Sequence, residues 1–403
     1  MYTDCYSKNQ VTNPIAYGKI HPKMSGRQIS QVNQKSGFLQ DFMPSDGKFR
    51  SFAKNFGMSD KRTEIDQLGE FGLIDHLTKN VKKYHDSTLK GIGDDAAVIS
   101  LSNEEVQLVS TDTIIEGVHF NLMYTPLKHL GYKLVASNVS DICAMNGVAK
   151  QITVSLAVSN RFPIEALEEL YDGIKAACNV YQVDLIGGDT TSSLSGLMLS
   201  ATVIGRAPKS SVVYRSGAKE HDLIVVSGDL GGAYMGLQVL EREKEVYNAN
   251  PNIQPDLDGH DYIMERQLKP EARVDVINFL KELEVQPTSM MDISDGLASE
   301  LMHICTQSNV GCRIYDEKIP IDGKTSVTAI DFNLDPITCA LNGGEDYELL
   351  FTVAQEDFDK IKGNPHMSII GHVTDRSEGL YYVDKNGSMV ELQAQGWDHF
   401  DKD

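Results

Sequence analysis

Apolar residues recur along the chain with two periods, and the switches between them mark out the elements. Phe71, Ile74, Leu77 and Val81 fall at helical spacing within Gly69 to Lys83, so a helix is expected there. The turn Gly91-Ile92-Gly93-Asp94-Asp95 follows, with glycines that free the backbone to turn tightly. Ala96 to Leu101 then reads as the start of a buried strand. Val106, Leu108, Ser110 and Asp112 share one face of the next strand. A helix is expected over Leu127 to Met145, with Leu134, Asn138, Asp141 and Met145 on one inward stripe. Ile152, Val154, Leu156 and Val158 alternate inward along Gln151 to Ser159. Pro163 can open a helix, since its missing N–H costs nothing at that position. Ile164, Leu167, Tyr171, Ile174, Cys178 and Tyr181 would form its buried stripe, and Leu197 to Ile204 reads as a strand.

A domain boundary is expected near Gly205 to Lys219. Beyond it, Leu223 to Ser227 predicts a short strand running into Gly228-Asp229-Leu230-Gly231-Gly232 and a helix from Ala233. Tyr247 to His260 is a polar loop rich in Asn, Pro and Asp. A helix is expected from Pro270 to Leu283, a strand over Met290 to Ile293, and a helix over Leu297 to Cys305. Tyr347, Leu349, Phe351 and Val353 are expected on one face of a later strand. Strands and helices interleave throughout, which makes the class mixed α and β. A length of 403 residues suits two such domains, 62–205 and 206–403.

Composition changes this picture at one end. Residues 1–57 hold eight Lys or Arg against three Asp, lack periodicity, and read as a disordered extension, or as sequence upstream of a start at Met58. The whole chain carries a net charge of -20, which opposes any general affinity for nucleic acid. No uncharged apolar run is long enough for a membrane helix. Six scattered cysteines form no CxxC pair, so neither a zinc site nor a disulfide framework is indicated, and a cytoplasmic setting is the default.

The chemistry sits in the acidic clusters. They are Asp94-Asp95, Ser110-Thr111-Asp112, Asp141, Gly187-Gly188-Asp189-Thr190, Asp292-Ile293-Ser294-Asp295-Gly296, and Gly343-Gly344-Glu345-Asp346. All but Asp141 lie at strand ends or flanking turns, where ligand sites collect in such folds. Adjacent aspartates repel each other unless a lysine or a metal sits on them. Asp141 on an inward stripe needs a cation too, either a metal or a lysine. Asp, Ser and Thr without His are hard oxygen ligands, which together favour magnesium bridging phosphates.

Two familiar motifs fail on inspection. Gly91 to Ala96 fits a dinucleotide fingerprint by letters, but a strand follows it and two aspartates would face the pyrophosphate. Gly323-Lys324-Thr325 has Lys318 where a phosphate loop needs glycine. Gly228 to Gly232 ahead of a helix could cradle a phosphate, or be a tight structural turn. On residue type alone, His119 and Trp397 read as structural.

Together these runs resemble the thiamine-monophosphate kinase family, within the superfamily of aminoimidazole ribonucleotide synthetase. The matching runs are Gly91 to Val98, Ser110 to Phe120, Asn138 to Asp141, Gly187 to Thr191, Tyr214 to Lys219, Asp292 to Leu297, Asn342 to Leu350 and Gly396 to Phe400, in the family's order. The resemblance implies a two-domain α+β fold with a C-terminal α/β domain, and an N-terminal sheet that pairs across a homodimer. It implies phosphorylation of thiamine monophosphate by ATP, with several Mg2+ ions at Asp95, Ser110, Thr111, Asp112, Asp141, Asp189, Asp292 and Asp295. ATP contacts carry over to Gly188, Asp189, Arg215 and Ser294, and substrate contacts to His119, Glu345 and Trp397. A phosphate nucleophile is already anionic, so no general base is expected. Two other readings compete: an ATP-dependent synthetase releasing free phosphate, and a non-catalytic nucleotide- or cation-binding protein. Retention of every acidic cluster speaks against the last.

Overall fold

In the computed structural model of the chain, which describes residues 68–393, the alternating segments assemble into two sheets. The first half contributes α1 (Gly69–Thr78), β1 (Thr88–Lys90), β2 (Ala97–Ser100), β3 (Glu105–Ile115), α2 (Leu127–Ala144), β4 (Val148–Val158), α3 (Ile164–Tyr181), β5 (Asp184–Ser192) and β6 (Met198–Pro208). Its strands lie in the order β1-β2-β3-β6-β4-β5. Every pairing is antiparallel except β4 with β5. Helices α2 and α3 pack on the face that carries Val106, Leu108, Ile152, Val154 and Leu156. They approach closely at two glycines: a Cβ on Gly173 would lie 1.9 Å from the Lys128 carbonyl oxygen, and one on Gly131 would lie 2.1 Å from that of Leu170.

The second half runs β7 (Leu223–Ser227), α4 (Gly232–Ala249), α5 (Asp261–Leu268), α6 (Val274–Glu282), β8 (Ser289–Asp292), α7 (Leu297–Ser308), β9 (Gly311–Tyr315), α8 (Gly323–Asp331), α9 (Pro336–Asn342), β10 (Leu349–Val353), α10 (Phe358–Ile361), β11 (Met367–Thr374), β12 (Leu380–Val383) and β13 (Met389–Glu391). The strand order is β13-β12-β9-β11-β7-β10-β8. One core joins the first sheet through α2 to the face of the second that carries Met290, Leu349 and Phe351. A second core packs Met291 and Leu350 against Leu301 and Ile304 of α7.

This layering explains several departures from the sequence pattern. Sandwiched between the two sheets, α2 buries fourteen of its eighteen residues, so its inward surface is not one stripe. β10 is buried along its whole length, because both faces of its sheet are covered. Tyr347 is not part of that strand but precedes it with φ +51°. The expected helix to Lys83 ends at Thr78 and buries none of its residues; the Phe71 ring lies 4.0 Å from that of His303, tilted by 47°. The polar loop is shorter than Tyr247 to His260, since α4 continues to Ala249, and α6 begins at Val274 rather than Pro270. The proposed extension before Met58 lies outside the described residues.

Candidate active site

Three strands and one helix deliver the acidic groups to one place, and not all at strand ends as expected: Ser110 to Asp112 stand inside β3, and Gly187 to Thr190 inside β5. The β2 turn brings Asp95, β3 brings Ser110 and Asp112, β8 ends on Asp292, and α2 supplies Ser140 and Asp141. One carboxylate oxygen each from Asp95, Asp141 and Asp292 lie within 4.8 Å of one another. Ser110 Oγ donates to Asp141 Oδ2 at 2.6 Å, and Ser140 Oγ donates to Asp292 Oδ2 at 2.6 Å. Arg215 donates its Nε and Nη2 to Asp95 Oδ1 at 3.1 and 2.6 Å, while its backbone N–H donates to Asp94 Oδ1 at 3.0 Å. Lys90 lies 3.3 Å from the other Asp94 oxygen.

Arg215 alone does not balance these charges. Burial pushes Asp95 up to about 7 even with Arg215 pulling it down. Burial and the neighbouring Asp95 push Asp112 up to about 6, and burial pushes Asp292 up to about 6 against the Ser140 hydrogen bond. Asp141 is raised well above the usual carboxylate range by burial and by Asp112 and Asp292. The Oδ2 atom of Asp95 is buried without a hydrogen-bond partner. A cluster of hard oxygen donors with an unpartnered oxygen and surplus negative charge fits a magnesium ion.

The turn after β8 is fixed from behind by Glu300 of α7, a buried carboxylate that sequence reasoning passed over. Its Oε1 accepts the N–H groups of Ser294 and Asp295 at 3.2 and 2.8 Å. The only hint in the sequence is an acidic residue in the first turn of a helix, where it can satisfy free N–H groups. Asp295 thus follows Asp292 on a braced loop, with Ser294 between them. The carbonyls of that loop in turn hold the next one: Glu345 N–H donates to Ser294 O at 2.7 Å and Tyr347 N–H to Ile293 O at 2.8 Å. Glu345 sits at φ +65°, so two side-chain-bearing residues of this loop occupy the left-handed region.

Lys133 and Gln267, the partners of Glu345, line a small cleft. His119 lines it with Phe120, Tyr124, Thr125, Lys133 and Gln267. Its Nδ1 accepts the N–H of Ile115 at 3.1 Å. Glu345 is held by Lys133, 2.7 Å away, and by Gln267. Sequence reasoning missed Lys133, because a lysine inside an apolar helix gives no motif.

Other expected residues lie elsewhere. Thr111 and Asp189 belong to the opposite face of the first sheet, since alternation places them with Thr113, Ser155 and Ser200 rather than with Asp112. Thr111 Oγ1 donates to Ala201 O at 2.8 Å. Gly188 runs against β4 so closely that a Cβ would lie 1.8 Å from the Val154 oxygen, which gives that glycine a packing reason. Trp397 lies outside the described residues. The turn at Gly228 to Gly232 serves an anion of the chain's own: Asp346 accepts the N–H groups of Gly231 at 2.7 Å and Ala233 at 3.3 Å.

Residues 93–207 match the N-terminal domain of AIR synthase related proteins, and residues 219–383 match their C-terminal domain. The thiamine-monophosphate kinase of Bacillus subtilis (strain 168) is 34% identical over 338 residues, 83% of this chain and 100% of the relative. That of Escherichia coli (strain K12) is 34% identical over 343 residues, 82% of this chain and 98% of the relative. A solved structure of AaThiL complexed with AMPPCP and TMP superposes with a TM-score of 0.72 at 31% identity, covering 85% of this chain and 100% of that one. The hydrogenase maturation protein HypE in complex with ATP shares the fold at 18% identity and a TM-score of 0.58. Two sheets and both domain matches define an AIR synthase related protein. Identity along the full length of the kinases narrows that class, and the chain belongs to the thiamine-monophosphate kinase family.

Proposed function

We propose that the protein transfers the γ-phosphoryl group of ATP to the phosphate of thiamine monophosphate, giving ADP and thiamine diphosphate by direct in-line displacement. The observation that carries this reading is the convergence of Asp95, Asp141 and Asp292 on one buried point with too few cations of their own. Asp95, Asp112, Asp141 and Asp292 would hold magnesium, with Asp295 and Ser110 beside them. Bound there, the metal would supply the positive charge that offsets repulsion between two polyanions. Ser110 and Ser140 orient the carboxylates through their hydrogen bonds. Arg215 keeps Asp95 directed into the cluster and offers a guanidinium for ATP, with Ser294 on the neighbouring turn. His119, at the cleft, and Glu345 would contact the thiamine moiety.

The attacking phosphate oxygen is already deprotonated, so no side chain need act as a base. Thr111 and Asp189 lie on the face of the first sheet away from the acidic cluster, the side that a second copy would cover in a homodimer, while Gly188 alternates to the face of Val154 and Asp112. A cytoplasmic location suits such a kinase, and among the described residues no helix is long and apolar enough to cross a membrane. Phosphorus NMR of a reaction with ATP, magnesium and thiamine monophosphate tests the reading. ADP and a diphosphate ester should grow in equal amounts, without inorganic phosphate. Free phosphate in step with ADP would favour a synthetase instead.

A further inference from the structure

Lys133 is a charged residue of the site with no part in the transfer just described. Its side chain is buried on α2, and its ammonium lies 2.7 Å from Glu345 Oε1 and 3.2 Å from the Gln267 carbonyl oxygen. Gln267 Nε2 donates to Glu345 Oε2 at 2.6 Å. Both oxygens of Glu345 are therefore occupied by the chain itself. An ion pair with one buried and one half-buried partner is a weak source of stability compared with apolar packing, and this one is held on a left-handed residue. Its placement points to a use. Lys133, Ser140 and Asp141 stand at i, i+7 and i+8, on one face of α2. Seven residues of helix separate the pair from the acidic cluster by about 10 Å. Lys133 also lines the cleft that His119 lines.

We propose that Lys133 and Glu345 form an internal ion pair that the substrate opens, and that Lys133 is the residue selecting the phosphorylated form of the substrate. This rests on thiamine monophosphate being the acceptor. That molecule is itself a linked ion pair, a cationic thiazolium ring and an anionic phosphate. The ring takes the place of the ammonium at Glu345, and Lys133 turns to the phosphate on the side of the acidic cluster. Each internal charge then has a new partner. Free thiamine brings only the cation, so it would strand Lys133 beside a second positive charge.

Calorimetric titration of thiamine monophosphate and of free thiamine into the intact protein and into Lys133→Met tests this. The variant should bind the monophosphate at least about tenfold more weakly and free thiamine more tightly, while the KM for ATP changes less than about twofold. Lys133→Gln, which keeps a donor for Glu345, should shift both ligands in the same directions by less, and stands in should the methionine variant fail to fold. Equal weakening of both ligands, or no change in either, overturns the proposal and leaves the kinase reading intact. Failure of the unmodified protein to form ADP from the monophosphate overturns both.

Discussion

Two buried groups of charges lie within the same fold and differ in how they are balanced. In the first, Asp95, Asp112, Asp141 and Asp292 face one another with Arg215 as their guanidinium partner. In the second, Glu348 accepts from Arg266 Nη1 at 2.9 Å, from Arg273 Nη1 and from Ser227 Oγ, while Asp346 accepts two backbone N–H groups. Burial still pushes Asp346 up to about 7, against Arg266 and those two bonds. The contrast is thus in partners more than in burial. The second group satisfies its own anions and braces the β7–β10 end of the sheet. The first leaves an Asp95 oxygen without a hydrogen-bond partner, as expected of a site that takes its missing charge from a ligand.

Removing a charge should therefore have opposite consequences in the two places. Asp141→Asn should lower turnover by at least about a hundredfold, since it weakens stabilisation of the transferring group. Its thermal midpoint without metal should stay level or rise, because the substitution relieves repulsion. Steady-state ADP formation and calorimetric unfolding check the two halves, and a variant equally active at low magnesium would break the comparison. Glu348→Gln should do the reverse: it leaves two buried guanidinium groups undercompensated and should cost about 3–5 kcal/mol in denaturant unfolding.

A smaller effect follows from the raised carboxylates. Below about pH 4 they are protonated in both states and contribute nothing. As pH rises, the unfolded chain ionises first and the folded chain holds the extra protons, so stability falls until about pH 7, where the folded cluster ionises as well. In a chelator the unmodified protein should thus lose stability relative to Asp141→Asn between pH 4 and 7. Added magnesium should raise the thermal midpoint more at pH 8 than at pH 5. An equal rise at both values would show that the cluster is not the binding site. The smallest expected effect is that of Thr111→Val. The hydroxyl lies across the sheet from the cluster, so the magnesium dependence of turnover should not change; a marked shift would assign that hydroxyl to the metal.

Legibility from sequence followed local geometry. The bounds of α2 and the Asp292 turn could be read closely, because periodicity and turn glycines are short-range signals. The face on which a residue stands was legible for Ser110 and Asp112, which alternate with Leu108, and by the same rule it separates Thr111 from them. What stayed hidden depends on contacts distant in sequence. Lys133 looks like a solvated lysine until Glu345 arrives, and Glu300 looks like an ordinary helix start until the Ser294 loop folds onto it. The turn at Gly228 to Gly232 stayed open between a phosphate cradle and a structural turn because nothing nearby in sequence announces Asp346. The exposed α1 shows the opposite error, an apolar spacing that buries nothing among the described residues.

The helix α2 places Lys133, Ser140 and Asp141 on one rigid rod. It works as a ruler whose graduations are turns of backbone hydrogen bonds, so the span between the cleft and the acidic cluster is set without any loop closing over the ligand. Changes in the surrounding loops leave that calibration alone. One residue inserted between Lys133 and Ser140 would rotate one mark away from the other by about 100° and move it about 1.5 Å, leaving each half of the site well formed and the two out of register.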